Sequence, residues 1–242
     1  MPFVDESFTG VAIEVAADIH DRISEAYLQK TGNAVDIISL SDALPIDQDF
    51  ISKASNPSKH TLLHKFIESY VLAEYQYGAR KYEEAYPPTI YRLLKEYNVQ
   101  YKEIPFTGRD SNYILYNMAF PVIRPLAHNV FCILFENREL MRDFSRLVAS
   151  LSSALFPRTN YWPTWLESAL INRERGRCAI CQCDLTGTIA VDKKIHIDHI
   201  IPISVYGTND PTNLQVLCDS CNLEKGNRND NTSAVRHVPW IL

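Results

Sequence analysis

The stretch whose reading decides the fold is HIDHIIPISVYG, His196 to Gly207. Two histidines and an aspartate stand in it among isoleucines, where they serve either as a satisfied patch of a buried strand or as a reactive centre. Its front half has strand character, NLQVLC (residues 213–218) is a second apolar run, and the turn-rich VYGTNDPT lies between them. CNLEKGN (residues 221–227) follows as a short helix that ends near Gly226. In an ideal strand Asp198 and His199 point to opposite faces, so one site can use both only if the strand bends or ends there. Pro202, three residues on, is compatible with an early end.

Working outward, this stretch is bracketed by cysteines. CAIC (Cys178, Cys181) and CDSC (Cys218, Cys221) are two C-x2-C knuckles with 36 residues between them. Two such pairs supply the four thiolates of a closed tetrahedral structural zinc site, and the long spacer means that the metal closes a loop with structure of its own. A disulfide framework belongs to much smaller secreted chains, so metal binding outranks oxidation here. Four thiolates leave no open coordination position, so any chemistry falls to other residues. Cys183 is an extra thiol nearby, and Cys132 reads as a core residue of an apolar helix.

The preceding two thirds reads as mostly helical. Ala12, Val15, Ile19, Ile23 and Tyr27 recur at helical spacing with Gly32 as the stop. NAVDIISL is open between strand and loop. A helix from Thr61 is expected to stop near Gly78, and another opens at Pro88 and Thr89. A loop is expected between Asn98 and Asn112, then one long helix that starts cleanly near Pro125 and ends at Pro157. A last short helix is capped by Thr164 and exits at Gly176. His20, His60, His64 and His128 match no site pattern and read as surface or core-edge residues, and the Tyr-rich run from Tyr70 to Tyr86 reads as helix packing.

Composition bounds the function classes. At 242 residues and 46% hydrophobic the chain can bury a sizeable core. Its formal net charge is -5, with 8 basic and 8 acidic residues after residue 170, so no Lys/Arg block announces a nucleic-acid groove. The N-terminus lacks a signal-peptide pattern and no uninterrupted apolar run of membrane-spanning length is evident, so a cytoplasmic location with no membrane association is expected.

Taken together, CAIC, IDHIIP, NLQVLCDSCN and KG resemble the HNH nuclease family, over about residues 173–230 and under a third of the chain. The helical spacing gives a mainly α N-terminal domain (1–165), and the resemblance implies a small α+β, zinc-stabilised, ββα-metal (treble-clef-like) HNH domain (166–242). It implies a metal-dependent endonuclease acting on DNA, with His199 as general base, Asp198 and Asn222 as protein ligands of one Mg²⁺ or Mn²⁺ ion, and Asn213 orienting His199 through a hydrogen bond. Many relatives carry His where this chain has Asn222, and relatives with Asn are active. His196 is expected in a supporting role, and Lys225, Arg228, Arg175 and Arg177 as phosphate contacts or solvated surface charges. The acidic helical part is expected to dock a protein partner or a second copy, or to restrain the nuclease, by analogy with effectors of bacterial anti-phage defence. A non-catalytic zinc-fold adaptor would also explain the cysteines, though not Asp198, His199, Asn213 and Asn222 together. An RNA-cleaving HNH enzyme is the remaining alternative.

Overall fold

The computed structural model describes residues 8–28, 38–81, 86–105, 109–159, 161–187, 195–227 and 229–232. Gly32 and Arg228 lie outside them. The described chain is mostly helical, in the order α1 (Gly10–Leu28), α2 (Leu40–Ala43), α3 (Gln48–Ser55), α4 (Leu62–Lys81), α5 (Tyr86–Glu96), α6 (Arg109–Phe135), α7 (Arg138–Leu151) and α8 (Thr164–Arg173). A small antiparallel pair, β1 (His196–His199) and β2 (Leu214–Leu217), is followed by α9 (Asp219–Lys225).

The helices form because each buries an apolar stripe. On α1, Ala12, Ile19 and Ile23 are buried at the predicted spacing. α6 is the central helix, packed by α1, α4, α5 and α7. It starts well before Pro125 and carries Pro121 and Pro125 in its interior. Each proline removes one helical hydrogen bond at about 3 kcal/mol. Burial of Leu115, Ala119, Val122, Leu126, Ala127 and Val130 on the core side outweighs that. Residues 114–135 are apolar on average and long enough to cross a membrane, although Asn117, Arg124, His128 and Asn129 interrupt the run, and the same composition suits a central core helix.

Other boundaries also moved. The long helix read around Pro125 is two helices, because Asn137 caps α7 with its side chain accepting from the Leu140 N–H. α4 passes Gly78 and ends at Lys81, since one glycine costs only about 1 kcal/mol. α5 opens at Tyr86, with Pro87 and Pro88 in its first turn, where their missing N–H groups are harmless. Pro163, not Thr164, sits at the cap position of α8. In the Tyr-rich run, Tyr70 and Tyr75 pack inside, while Tyr77 is exposed.

His64, on α4, is 3% exposed; its Nε2 lies 3.2 Å from Nδ1 of His128 and its Nδ1 2.9 Å from the Thr61 hydroxyl. Burial, reinforced by His60 and His128, pushes its pKa from 6.5 down to about 3. A depressed histidine pKa leaves the unfolded state binding more protons in acid. Its contribution is therefore complete above pH 6.5 and is lost as pH falls toward 3, by up to about 1.4 kcal/mol per pH unit. The thermal midpoint is expected to fall as pH drops below 6.5, and His64→Phe to flatten that slope relative to wild type.

The helical part and the C-terminal part share buried polar contacts. Glu174, just after α8, is ion-paired to Arg138 at the start of α7 and to Arg173, which also donates to the Leu214 carbonyl at β2. Ile200 and Ile201, which follow β1, are buried in the helical core. A smaller core of Leu166, Leu170, Leu185, Leu214, Val216 and Leu217 lies under the cysteines, and Phe135 packs against both cores. Glu174→Ala removes the carboxylate shared by two buried guanidinium groups, and urea unfolding of the full chain is expected to show a loss of about 3–5 kcal/mol.

Candidate functional site

The two knuckles are shaped by their backbone before any metal is considered. The first is a tight turn in which the Cys178 N–H donates to the Cys183 carbonyl at 2.9 Å and the Gln182 N–H to the Cys178 carbonyl at 3.0 Å. Gln182 takes a left-handed φ of 61° to close it. The Ala179 N–H then donates to the Val216 carbonyl at 2.8 Å, which sets this turn against β2. The second knuckle straddles the start of α9, with Cys218 at the cap position and Cys221 one helical step of three on, so both sulfurs leave the same face. The sulfurs of Cys178, Cys181, Cys218 and Cys221 lie within 4.8 Å of one another, and those of Cys181 and Cys218 are 3.8 Å apart. Tetrahedral zinc with bonds of about 2.3 Å sets its sulfurs roughly 3.8 Å apart, so the donor set fits a zinc-like metal site. Beside it, burial and the Cys181 and Cys218 thiols push the Cys183 pKa up to about 12.

β1 runs antiparallel to β2 in the register His196 to Leu217, Ile197 to Val216, Asp198 to Gln215 and His199 to Leu214. The strand ends at His199, and there the facing problem is resolved: Asp198 and His199 both line one cleft of about 230 Å³, together with Arg158, Pro202, Ser204, Gly226 and Asn227 among the described residues. The two hydrogen-bonding contacts that described residues make to the Asp198 side chain, from Gln215 Nε2 at 3.3 Å and Lys225 Nζ at 2.9 Å, both fall on Oδ2. The His199 ring is buried and packs 5.7 Å from the Trp162 ring, centre to centre. Burial lowers its pKa, with Arg158 and Lys225 acting in the same sense and Asn209 and Asp198 opposing, so the ring is neutral over a wider range of pH than a free histidine.

Residues 178–228 match the HNH endonuclease family model. No curated protein and no solved structure matches the chain. The match and the cysteine cluster together indicate a nuclease-type function with a metal site, in a segment covering under a quarter of the chain.

Within the HNH segment two sequence expectations need correction. Asn213 does not orient His199 by a hydrogen bond to its ring. Its Oδ1 accepts from the Ile201 N–H at 2.8 Å, and its Nδ2 donates to the carbonyls of Ile201 at 3.0 Å and Thr208 at 2.9 Å. It therefore clamps the loop that leaves the strand at His199, while the ring nitrogen Nε2 meets Asn209 Oδ1 at 2.9 Å. Lys225 is no phosphate-facing surface charge: its ammonium is buried between Asp198 and the His199 carbonyl, which it reaches at 2.7 Å, and so braces the end of the strand. Asn222 is half-buried and stands one turn before Lys225 on α9.

The remaining candidates are spread out. His196 is hydrogen-bonded through Nε2 to the Asp219 carboxylate and ties the start of β1 to the first turn of α9. Arg175 and Arg177 are exposed beside the first knuckle, with Arg177 Nη1 donating to the Gln182 carbonyl at 3.0 Å. Arg228 falls outside the described residues. Sequence reasoning missed Arg158, which lines the cleft, and Trp162, which packs on the His199 ring, both from the segment between α7 and α8, as well as Asn209. The only signal available was their nearness in sequence to a proline-bounded connector and to the turn-rich loop.

Stripping the metal with a strong chelator, or substituting Cys221→Ser, is expected to unfold β1, β2 and α9, because binding free energy on the order of 10 kcal/mol doubles as folding free energy in such modules. Limited proteolysis with metal analysis checks it: cleavage within residues 178–227 should appear as zinc is lost.

Proposed function

We propose that this chain is a metal-dependent HNH endonuclease that hydrolyses phosphodiester bonds in DNA. The observation that supports it is the convergence of Asp198, His199 and Arg158 on one cleft at the end of β1, a strand that lies in sequence between the two cysteine knuckles. In this reading His199, buried and held neutral, takes a proton from the attacking water. Arg158 faces the negative charge of the scissile phosphate. Asp198, whose Oδ2 is already engaged, would hold a divalent ion through its other oxygen with Asn222 as the second protein ligand. Mg²⁺ or Mn²⁺ there, a hard cation suited to oxygen ligands, supplies charge neutralisation at the leaving oxygen. Lys225 contributes indirectly, since its buried ammonium fixes both the Asp198 carboxylate and the backbone of His199.

The helical part enters this proposal as the docking or restraining element of a regulated nuclease, an anti-phage effector being the setting that such restraint suits. Purified protein and His199→Ala are incubated with supercoiled plasmid and with single-stranded RNA, in Mg²⁺, in Mn²⁺ and in chelator. Metal-dependent nicking or linearisation by wild type, reduced about 10²–10⁴-fold in His199→Ala, is the expected result. Cutting of RNA alone moves the substrate class. Cutting undiminished in the variant removes His199 from the role of base, and binding without cutting under every condition favours the adaptor.

A further inference from the structure

Asn209 makes four hydrogen bonds from a position with no exposed surface, and their chemistry leaves little freedom. Its side-chain Nδ2 lies 2.8 Å from the Ser55 carbonyl, at the end of α3, and 2.8 Å from the Pro157 carbonyl, in the segment between α7 and α8. Its backbone N–H donates to the Ala54 carbonyl at 2.8 Å. The next residue, Asp210, is equally buried; its Oδ2 accepts from the Leu62 N–H at 2.8 Å, at the start of α4, and its Oδ1 accepts from Thr212. The loop between β1 and β2 is thus plugged into the helical part through its own polar groups.

Carbonyl oxygens only accept, so Ser55 and Pro157 both demand hydrogens and fix which end of the Asn209 amide faces them. A flipped amide would set its oxygen against two carbonyl oxygens and leave two buried acceptors unpaired. The amide oxygen therefore points the other way, to His199 Nε2 at 2.9 Å. Because that oxygen also only accepts, Nε2 must carry the hydrogen, and in the neutral ring the lone pair is then on Nδ1. Two backbone carbonyls of the helical part, acting through one amide, select the tautomer of an imidazole in the other part.

We infer that Asn209 is the positioning residue of His199: it holds the ring as the Nε2–H tautomer with Nδ1 free to accept a proton, and it is itself aimed by Ser55 and Pro157 of the helical region. This rests on the reading of His199 as the general base, and it gives the helical region a share in aligning the reaction centre. Asp198, Lys225 and Arg158 are the charged groups around the ring, and none of them is the Nε2 partner.

The test uses the full, zinc-loaded chain with ¹⁵N-labelled histidine, the His199 signals being assigned by their loss in His199→Gln. Nitrogen shifts in wild type at pH 7.5 should show hydrogen on Nε2, and Asn209→Ala should convert this to a mixture of tautomers at unchanged zinc content. With plasmid substrate the same variant should lose kcat on the order of 10²-fold with little change in KM, as misplacement of a reacting group predicts. Hydrogen on Nδ1 in wild type overturns the inference, and this measurement needs no variant to fold. A tautomer unaltered by Asn209→Ala overturns it as well. Should wild type cut nothing, the nuclease reading fails by itself, and the nitrogen shifts still decide whether Asn209 sets the ring.

Discussion

Four cysteine sulfurs gathered within 4.8 Å constrain everything at the C-terminal end of this chain, because they join two points of the sequence with 36 residues between them. Among the described residues, the segment from the first knuckle to the end of α9 has two strands of four residues and one helix of seven, too little apolar area to fold on its own account. A metal held by the four thiolates would remove that deficit and would tie the first knuckle to the start of α9. α9 in turn delivers Lys225 to Asp198 and to the backbone of His199. The side chains of the cleft are therefore held by a chain of contacts that begins at sulfur.

The second constraint is polar. Buried polar groups have to be paired, and in this molecule many of the partners lie on the other side of the junction between helices and HNH segment. Arg138 and Glu174 meet across it, Asp210 caps α4 from it, and Asn209 spans it with three backbone carbonyls on one side and an imidazole on the other. Apolar contact alone would tolerate sliding between the two parts. Hydrogen bonds with defined donors and acceptors do not, which is why the loop between β1 and β2 keeps one arrangement.

Much of this was readable in one dimension. The knuckles, the two short strands and the closing helix are local patterns, and Asp198 and His199 stand out because polar residues in an isoleucine run need a reason. The helices were readable as helices from their apolar spacing, but their limits were not. Pro121 and Pro125 argue for a break that the packing around α6 overrules, whereas Asn137, an ordinary residue in the sequence, ends the helix by capping the next one.

By itself, then, the sequence determined the metal-ligand set, the strand-loop-strand-helix order and the identity of the polar residues offered to a site, since each depends on spacing along the chain. Only the tertiary structure decided what those residues do. Lys225 turned inward because the carboxylate of Asp198 and the carbonyl of His199 together hold an ammonium more firmly than one surface contact does. Asn213 went to the backbone of its own loop, and the histidine ring took its partner from Asn209. Arg158 reached the cleft from 40 residues away. The physical reason is the same in each case: hydrogen-bond and ion-pair partners are chosen by distance in space, and burial makes that choice compulsory.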